Sequence, residues 1–175
     1  MKKAIVIYYS NKGSNRFLAN KIADNLICDI EELKPRLNVQ MLMMMGIGFG
    51  NKKLKADLSK YDLIILCGPI WVGKLIIPLK TFIKKYNEII TKLVFVTCCG
   101  SRFEDKDKKF GHGLVFNVVN EMVGEKCSQC EAFPITLVVP EDKIEDANEV
   151  LNTRLTEANF KGEIRARFDK FMEKL

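Results

Sequence analysis

The sequence predicts an α/β fold, a three-layer doubly wound arrangement around a five-stranded parallel sheet. Residues 63–66 and 93–97 are apolar without polar alternation, the pattern of strands covered on both faces. Such runs alternate with segments whose apolar residues recur at helical spacing. Parallel neighbours need helical crossovers that cover both faces of the sheet, so five strand candidates separated by helices argue for this architecture. The 175 residues suffice for one domain with a full core, and no linker interrupts them, so one domain over residues 1–175 is expected.

The elements follow in order. The first strand is the run Ala4-Ile5-Val6-Ile7-Tyr8-Tyr9, and residues 14–27 carry Leu18, Ile22 and Leu26 at fourfold spacing, the apolar face of a helix. A short strand near residues 28–33 is ended by Pro35. After the strand at 63–66, a helix is expected over residues 75–86, with Pro78 tolerated in its first turn. The strand at 93–97 leads to a helix over residues 114–123, with Leu114, Val115, Val118, Val119 and Met122 inward. A fifth strand lies within residues 127–139, its limits blurred by Pro134. The tail reads as helical, with Ile144, Ala147, Leu151, Leu155 and Ala158 on one face and, after a break at Gly162, Ile164, Phe168, Phe171 and Leu175 on another.

Composition narrows the function. A net charge of +6 accompanies basic residues dispersed among acidic ones, as in Glu104-Asp105-Lys106-Asp107-Lys108-Lys109; this is a solvated face, and nucleic acid is not an expected partner. No run approaches the roughly 18 apolar residues of a membrane helix, and the strand after Met1-Lys2-Lys3 is too short for a signal-peptide core, so a cytoplasmic protein with no membrane partner is expected. The six cysteines lie in or beside strands without the framework of a small secreted domain and read as reduced thiols.

The chemistry concentrates where strands end. Ser10-Asn11-Lys12-Gly13-Ser14-Asn15 opens directly into the first helix, whose start leaves N–H groups unpartnered and favours negative charge. Ser10, Asn11, Ser14 and Asn15 add donors, Lys12 adds a cation, and Gly13 permits a positive φ or close backbone approach, so the loop suits a phosphate. A second strand ends in Gly68-Pro69-Ile70-Trp71-Val72-Gly73-Lys74, which carries the only tryptophan.

Together the two loops resemble those of the flavodoxin-like family, and the resemblance spans most of the chain. It implies the strand order 2-1-3-4-5, with flavin mononucleotide (FMN) bound at the carboxyl ends of the first and third strands, the topological switch point. On this resemblance the first loop clasps the flavin phosphate, with Lys12 and Asn15 standing where Thr or Ser is more usual. Pro69, Ile70, Trp71, Val72 and Gly73 run along one face and the edge of the ring, with Trp71 stacking and the Gly73 peptide beside the flavin N5. The third loop, Thr97-Cys98-Cys99-Gly100-Ser101-Arg102-Phe103, meets the ring from the other side: backbone donors of Cys99 and Gly100 face the pyrimidine edge, Phe103 packs near the second face, and Cys98 and Cys99 fill space as thiols.

The resemblance implies an FMN-binding redox protein that transfers electrons through the flavin, with a redox partner protein, or NAD(P)H and a small-molecule acceptor, on the other side. An FMN-dependent NAD(P)H:acceptor reductase of the quinone type and a flavin-free interaction domain are the alternatives. A phosphoaccepting receiver domain is disfavoured because the first and third strands end in Tyr8-Tyr9-Ser10 and Leu66-Cys67-Gly68 without acidic residues, and a thiolate phosphatase because neither Cys98 nor Cys99 has an arginine five residues on. The run Met41-Leu42-Met43-Met44-Met45-Gly46-Ile47-Gly48-Phe49-Gly50 either covers the flavin edge or makes a homodimer contact, with a buried helix turn as the plainer alternative. Cys127-Ser128-Gln129-Cys130 has the spacing of a metal or redox pair but lacks a second such pair, and His112 between two glycines reads as a loop or helix-cap residue.

Overall fold

Apolar runs pair edge to edge to form the sheet. The computed structural model describes residues 3–46, 48–100 and 111–175. Its strands β1 (Ala4–Tyr8), β2 (Asp29–Glu32), β3 (Leu63–Cys67), β6 (Leu93–Cys99) and β7 (Cys127–Pro134) pair in parallel in the order β2-β1-β3-β6-β7. A two-stranded antiparallel hairpin of β4 (Ile70–Trp71) and β5 (Lys74–Leu75) stands apart from this sheet. Set the hairpin aside, and the order is the expected 2-1-3-4-5. Every residue of β3 and β6 is buried, which accounts for their lack of polar alternation.

The helices α1 (Ser14–Leu26), α2 (Val39–Met45), α3 (Ile77–Tyr86), α4 (His112–Val123), α5 (Ala147–Asn152) and α6 (Glu163–Met172) complete the layers. On one face Leu18, Ala19 and Ile22 of α1 and Ile164, Phe168 and Phe171 of α6 pack on Val6, Ile65, Val96 and Phe133. On the other, Leu79, Phe82 and Ile83 of α3 and Val115, Val119 and Val123 of α4 pack on Ile5, Ile64, Leu66 and Phe95. Each fully buried side chain of this size contributes about 1.5–3 kcal/mol.

Three local expectations change. Leu75 belongs to β5, so α3 starts at Ile77, with a proline in its first turn as expected. Residues 144–158 do not make one helix. Asp146 caps α5 by accepting from the N–H groups of Asn148 and Glu149, and Thr153 ends it after six residues: its backbone is extended and its hydroxyl donates to Glu149 O at 2.7 Å. Leu151, expected inward, is 61% exposed. The methionine-rich run begins in a helix capped by Asn38, but Val39 and Leu42 are its buried residues and Met41, Met44 and Met45 are exposed, so it is not the buried turn of the plainer alternative. His112 is the first residue of α4 and is buried, its ring 5.3 Å from that of Phe116. No described helix is long and apolar enough to cross a membrane.

The edge strand β2 is tied to the segment before β3 by side-chain bonds: the Glu31 carboxylate accepts from the N–H groups of Lys55 and Ala56 at 2.7 and 2.8 Å, and Asp29 accepts from Tyr61. Tyr61 Oη donates to Asp29 Oδ2 at 2.7 Å, and that bond is the main cause of a phenol pushed up from 10.0 to about 12. Above pH 10 the unfolded chain gives up this proton before the folded one does, so the stability the bond supplies is intact below pH 10 and is lost as pH rises towards 12. Tyr61→Phe is therefore expected to cost about 1 kcal/mol at neutral pH and to lack this alkaline decline, as denaturant titrations of both proteins between pH 8 and 12 would measure.

Candidate functional site

At the carboxyl edge of the sheet the chain crosses from β1 to β2 on one side and returns through β3 on the other. Tyr8 and Cys67 are the last paired residues of β1 and β3, and the ladder continues as the Tyr9 N–H donates to Cys67 O at 2.9 Å. Beyond this pair the loops diverge, leaving a cleft of about 340 Å³. Its volume suits a small molecule.

One end of the cleft is cationic and rich in donors. Gly13, at φ 105°, precedes α1, and its N–H donates to Ser10 Oγ at 3.1 Å, curling the loop. No side chain caps α1, so the N–H groups of its first turn carry the helix's positive end into the cleft. Ser14 Oγ accepts from the Leu155 N–H at 3.0 Å, which leaves its own hydrogen to donate. Lys12 and Arg154 are the charged residues lining the cleft, and both reach the Leu151 carbonyl, Lys12 Nζ at 3.3 Å and Arg154 Nη1 at 2.6 Å.

The other end is apolar. Pro69, Ile70 and Trp71 form one wall and Cys98, Cys99 and Gly100 the floor, with Ile135 and Val150 adding apolar surface; Leu151, whose carbonyl holds both cations, belongs to the cationic end. Trp71 is half-buried against the core face that carries α3 and α4. Cys98 and Cys99 belong to the end of β6, not to a loop, and burial pushes the Cys98 thiol well above its ordinary range. It is a filler, not a nucleophile.

Asn15 has a different task from the one its neighbours share. Its side chain is buried, with Nδ2 donating to Cys98 O at 3.0 Å while Oδ1 accepts from the Cys98 N–H at 2.8 Å. The amide thus pairs with both polar groups of one residue, as a neighbouring strand would, and locks the start of α1 to the end of β6.

Of the residues expected at the site, Ser10, Asn11, Lys12, Ser14, Asn15, Pro69, Ile70, Trp71, Cys98, Cys99 and Gly100 line the cleft. Gly13 shapes the loop from behind, and Val72 and Gly73 form the tip of the β4–β5 hairpin beyond the wall. Phe103 and the charged run at residues 104–109 lie outside the described residues. Gln40, Ile135, Val150, Leu151, Thr153 and Arg154 also line the cleft and were not expected there. The prolines at 134 and 140 are the local signal that this stretch turns back over the sheet.

A larger hollow of about 540 Å³ opens near the start of β1, β2 and β3, lined by Leu26, Ile27 and Cys28 at the carbonyl end of α1. Lys3, Lys92 and Asp29 also line it, so its walls carry charges of both signs.

Solved structures share this arrangement. A flavoprotein from Lactobacillus acidophilus NCFM, determined in complex with FMN, superposes with a TM-score of 0.63 over 75% of this chain and 93% of its own, at 18% identity. A flavodoxin from Streptococcus pneumonia TIGR4 has a TM-score of 0.52 over 98% of this chain and 96% of its own, at 14% identity. The fold is flavodoxin-like. No protein-family model matches the sequence, and no curated protein matches it significantly.

In this flavodoxin-like frame the hairpin tip carries strain. Val72 and Gly73 both have positive φ, at 49° and 65°, the requirement of a two-residue type I′ turn, and Val72 is 79% exposed. A β-branched residue there costs about 1–2 kcal/mol that no packing offsets. Val72→Asn is expected to raise stability by roughly 1 kcal/mol, read as a higher denaturant midpoint with unchanged slope. Asn15→Ala should do the reverse, by about 2–4 kcal/mol, because it strands the buried N–H and C=O of Cys98.

Proposed function

We propose that the cleft binds FMN and that the protein transfers electrons through it to or from a redox partner. The observation that carries this reading is the pairing, at one switch point, of an anion-holding end with an apolar end that includes an aromatic side chain. The donor set fits the cofactor: the first turn of α1, the Ser10 and Ser14 hydroxyls, Lys12 and Arg154 suit a phosphate dianion, and Pro69, Ile70 and Trp71 suit one face of a planar ring. Likeness to a flavoprotein solved with FMN supports the choice of ligand.

Bound FMN supplies the redox chemistry, accepting and releasing electrons at the ring. The chain's part is to bind and orient the cofactor. Lys12, now on the Leu151 carbonyl, keeps two of its three donors for a ligand. The Asn15 clamp fixes the distance between the phosphate end and the floor under the ring. Trp71 excludes water from one face, and the Val72–Gly73 peptide at the hairpin tip can present either its carbonyl or its N–H to the ring edge. Among the described residues no carboxylate lines the cleft, and its charged side chains Lys12 and Arg154 would favour an anionic group there.

A second reading, an FMN-dependent NAD(P)H:acceptor reductase, draws support from the same two cations and the net charge of +6, which favour anionic dinucleotides. Anaerobic mixing with NADPH separates the two: rapid bleaching of bound flavin marks the reductase, and none marks the carrier.

The test of binding is an absorbance spectrum after adding FMN and removing the excess by gel filtration. Retained flavin with perturbed bands supports the proposal, and complete loss overturns it. Lys12→Ala and Arg154→Ala are each expected to weaken FMN roughly tenfold while leaving riboflavin affinity nearly unchanged. Trp71→Ala should weaken both ligands alike. Fluorescence titration with the two ligands measures these ratios.

A further inference from the structure

Cys127 and Cys130 lie at the start of β7, the edge strand of the sheet, away from the cleft. In an undistorted strand, residues three apart point to opposite faces. Here the register shifts: Leu93 pairs with Cys127, whereas Val94 pairs with Gln129, so Ser128 is an extra residue in the ladder. This bulge turns Cys130 back to the side that Cys127 faces. The two sulfurs come within 3.7 Å of each other. Both cysteines are half-buried, in contrast to Cys67, which is fully buried and held protonated.

No three His, Cys, Asp or Glu side chains gather as a metal site among the described residues, so this pair lacks the further ligands zinc needs. Redox exchange needs only the two thiols. We propose that Cys127 and Cys130 form a reversible dithiol–disulfide site that exchanges with small disulfides of the glutathione class.

The two thiols have unequal roles. Either sulfur can donate in this contact; the shared bond lowers the Cys127 thiol and, with burial, raises that of Cys130. Asn120 Oδ1, on α4, is a second acceptor for the Cys130 hydrogen at 3.8 Å. Because Asn120 can hold the Cys130 hydrogen, the attack is assigned to the Cys127 sulfur and the resolving step to Cys130. The Cys127 thiolate attacks one sulfur of oxidised glutathione, forming a mixed disulfide and releasing one glutathione thiolate. Cys130 then loses its proton to solvent and attacks the Cys127 sulfur, closing the internal disulfide and releasing the second glutathione. Two protein thiols are oxidised, and one glutathione disulfide is reduced to two thiols.

Closure draws the sulfurs from 3.7 Å to about 2 Å. It would fix the bulge and with it the β6–β7 register. The cleft lies beyond the far end of β7, which is seven residues and about 23 Å from Cys127 and four residues and about 13 Å from Cys130, so neither sulfur lines it.

The test uses the full chain in mixtures of oxidised and reduced glutathione, quenched with acid, alkylated, and read by intact mass and non-reducing peptide mapping. The expected result is the loss of two hydrogens, mapped to a peptide joining Cys127 to Cys130 and reversed by excess reduced glutathione. Cys130→Ser is expected to trap glutathione on Cys127 about tenfold faster than Cys127→Ser traps it on Cys130. Six alkylated thiols at every ratio, or a disulfide between any other pair, would overturn the proposal, and the wild-type measurement decides this even if a variant fails to fold.

Discussion

The buried pairing of the Asn15 amide with the N–H and C=O of Cys98 is the constraint around which the cleft is organised. It joins residues 83 positions apart. The Cys67 thiol adds a contact to Asn15 O at 3.4 Å, so the start of α1 and the ends of β3 and β6 meet at one residue. Water cannot compete at so buried a site, and the Cys67 thiol also reaches Asn15 Oδ1, at 3.8 Å. The attitude of the first loop relative to the floor of the cleft follows from this junction, as does the direction in which the first turn of α1 points.

The layered fold was legible because its signals are local. Unbroken apolar runs in β3 and β6 announce burial on both faces, and the fourfold spacing of Leu18, Ile22 and Leu26 announces the inward face of α1. Much of the cleft was legible for a similar reason: a glycine-bearing polar loop after a strand, and a tryptophan just past another, sit where the topology places a ligand. Long-range features were not. Nothing near Asn15 in sequence distinguishes a phosphate donor from a clamp on a distant peptide.

The region after β7 escaped for the complementary reason. Helical spacing over residues 144–158 is genuine, but the Thr153 hydroxyl competes for a helix carbonyl and Arg154 turns onto another, so the periodic pattern stops being a helix halfway. The β7 bulge is equally silent in sequence, since Ser128 is an ordinary strand residue whose extra position shows only against Leu93 and Val94. The CxxC spacing was visible, but the bulge that makes its sulfurs neighbours was not.

The bond from the Leu155 N–H to Ser14 Oγ spans 141 positions, and the Lys12 contact with Leu151 spans 139. Contacts this distant in sequence carry the full entropic cost of loop closure, and a growing chain cannot make them early. During synthesis the first loop must therefore wait, exposed and unbraced, until the segment at Leu151 and Leu155 has left the ribosome. The loop at the cleft is thus made 141 positions before the residue that braces it.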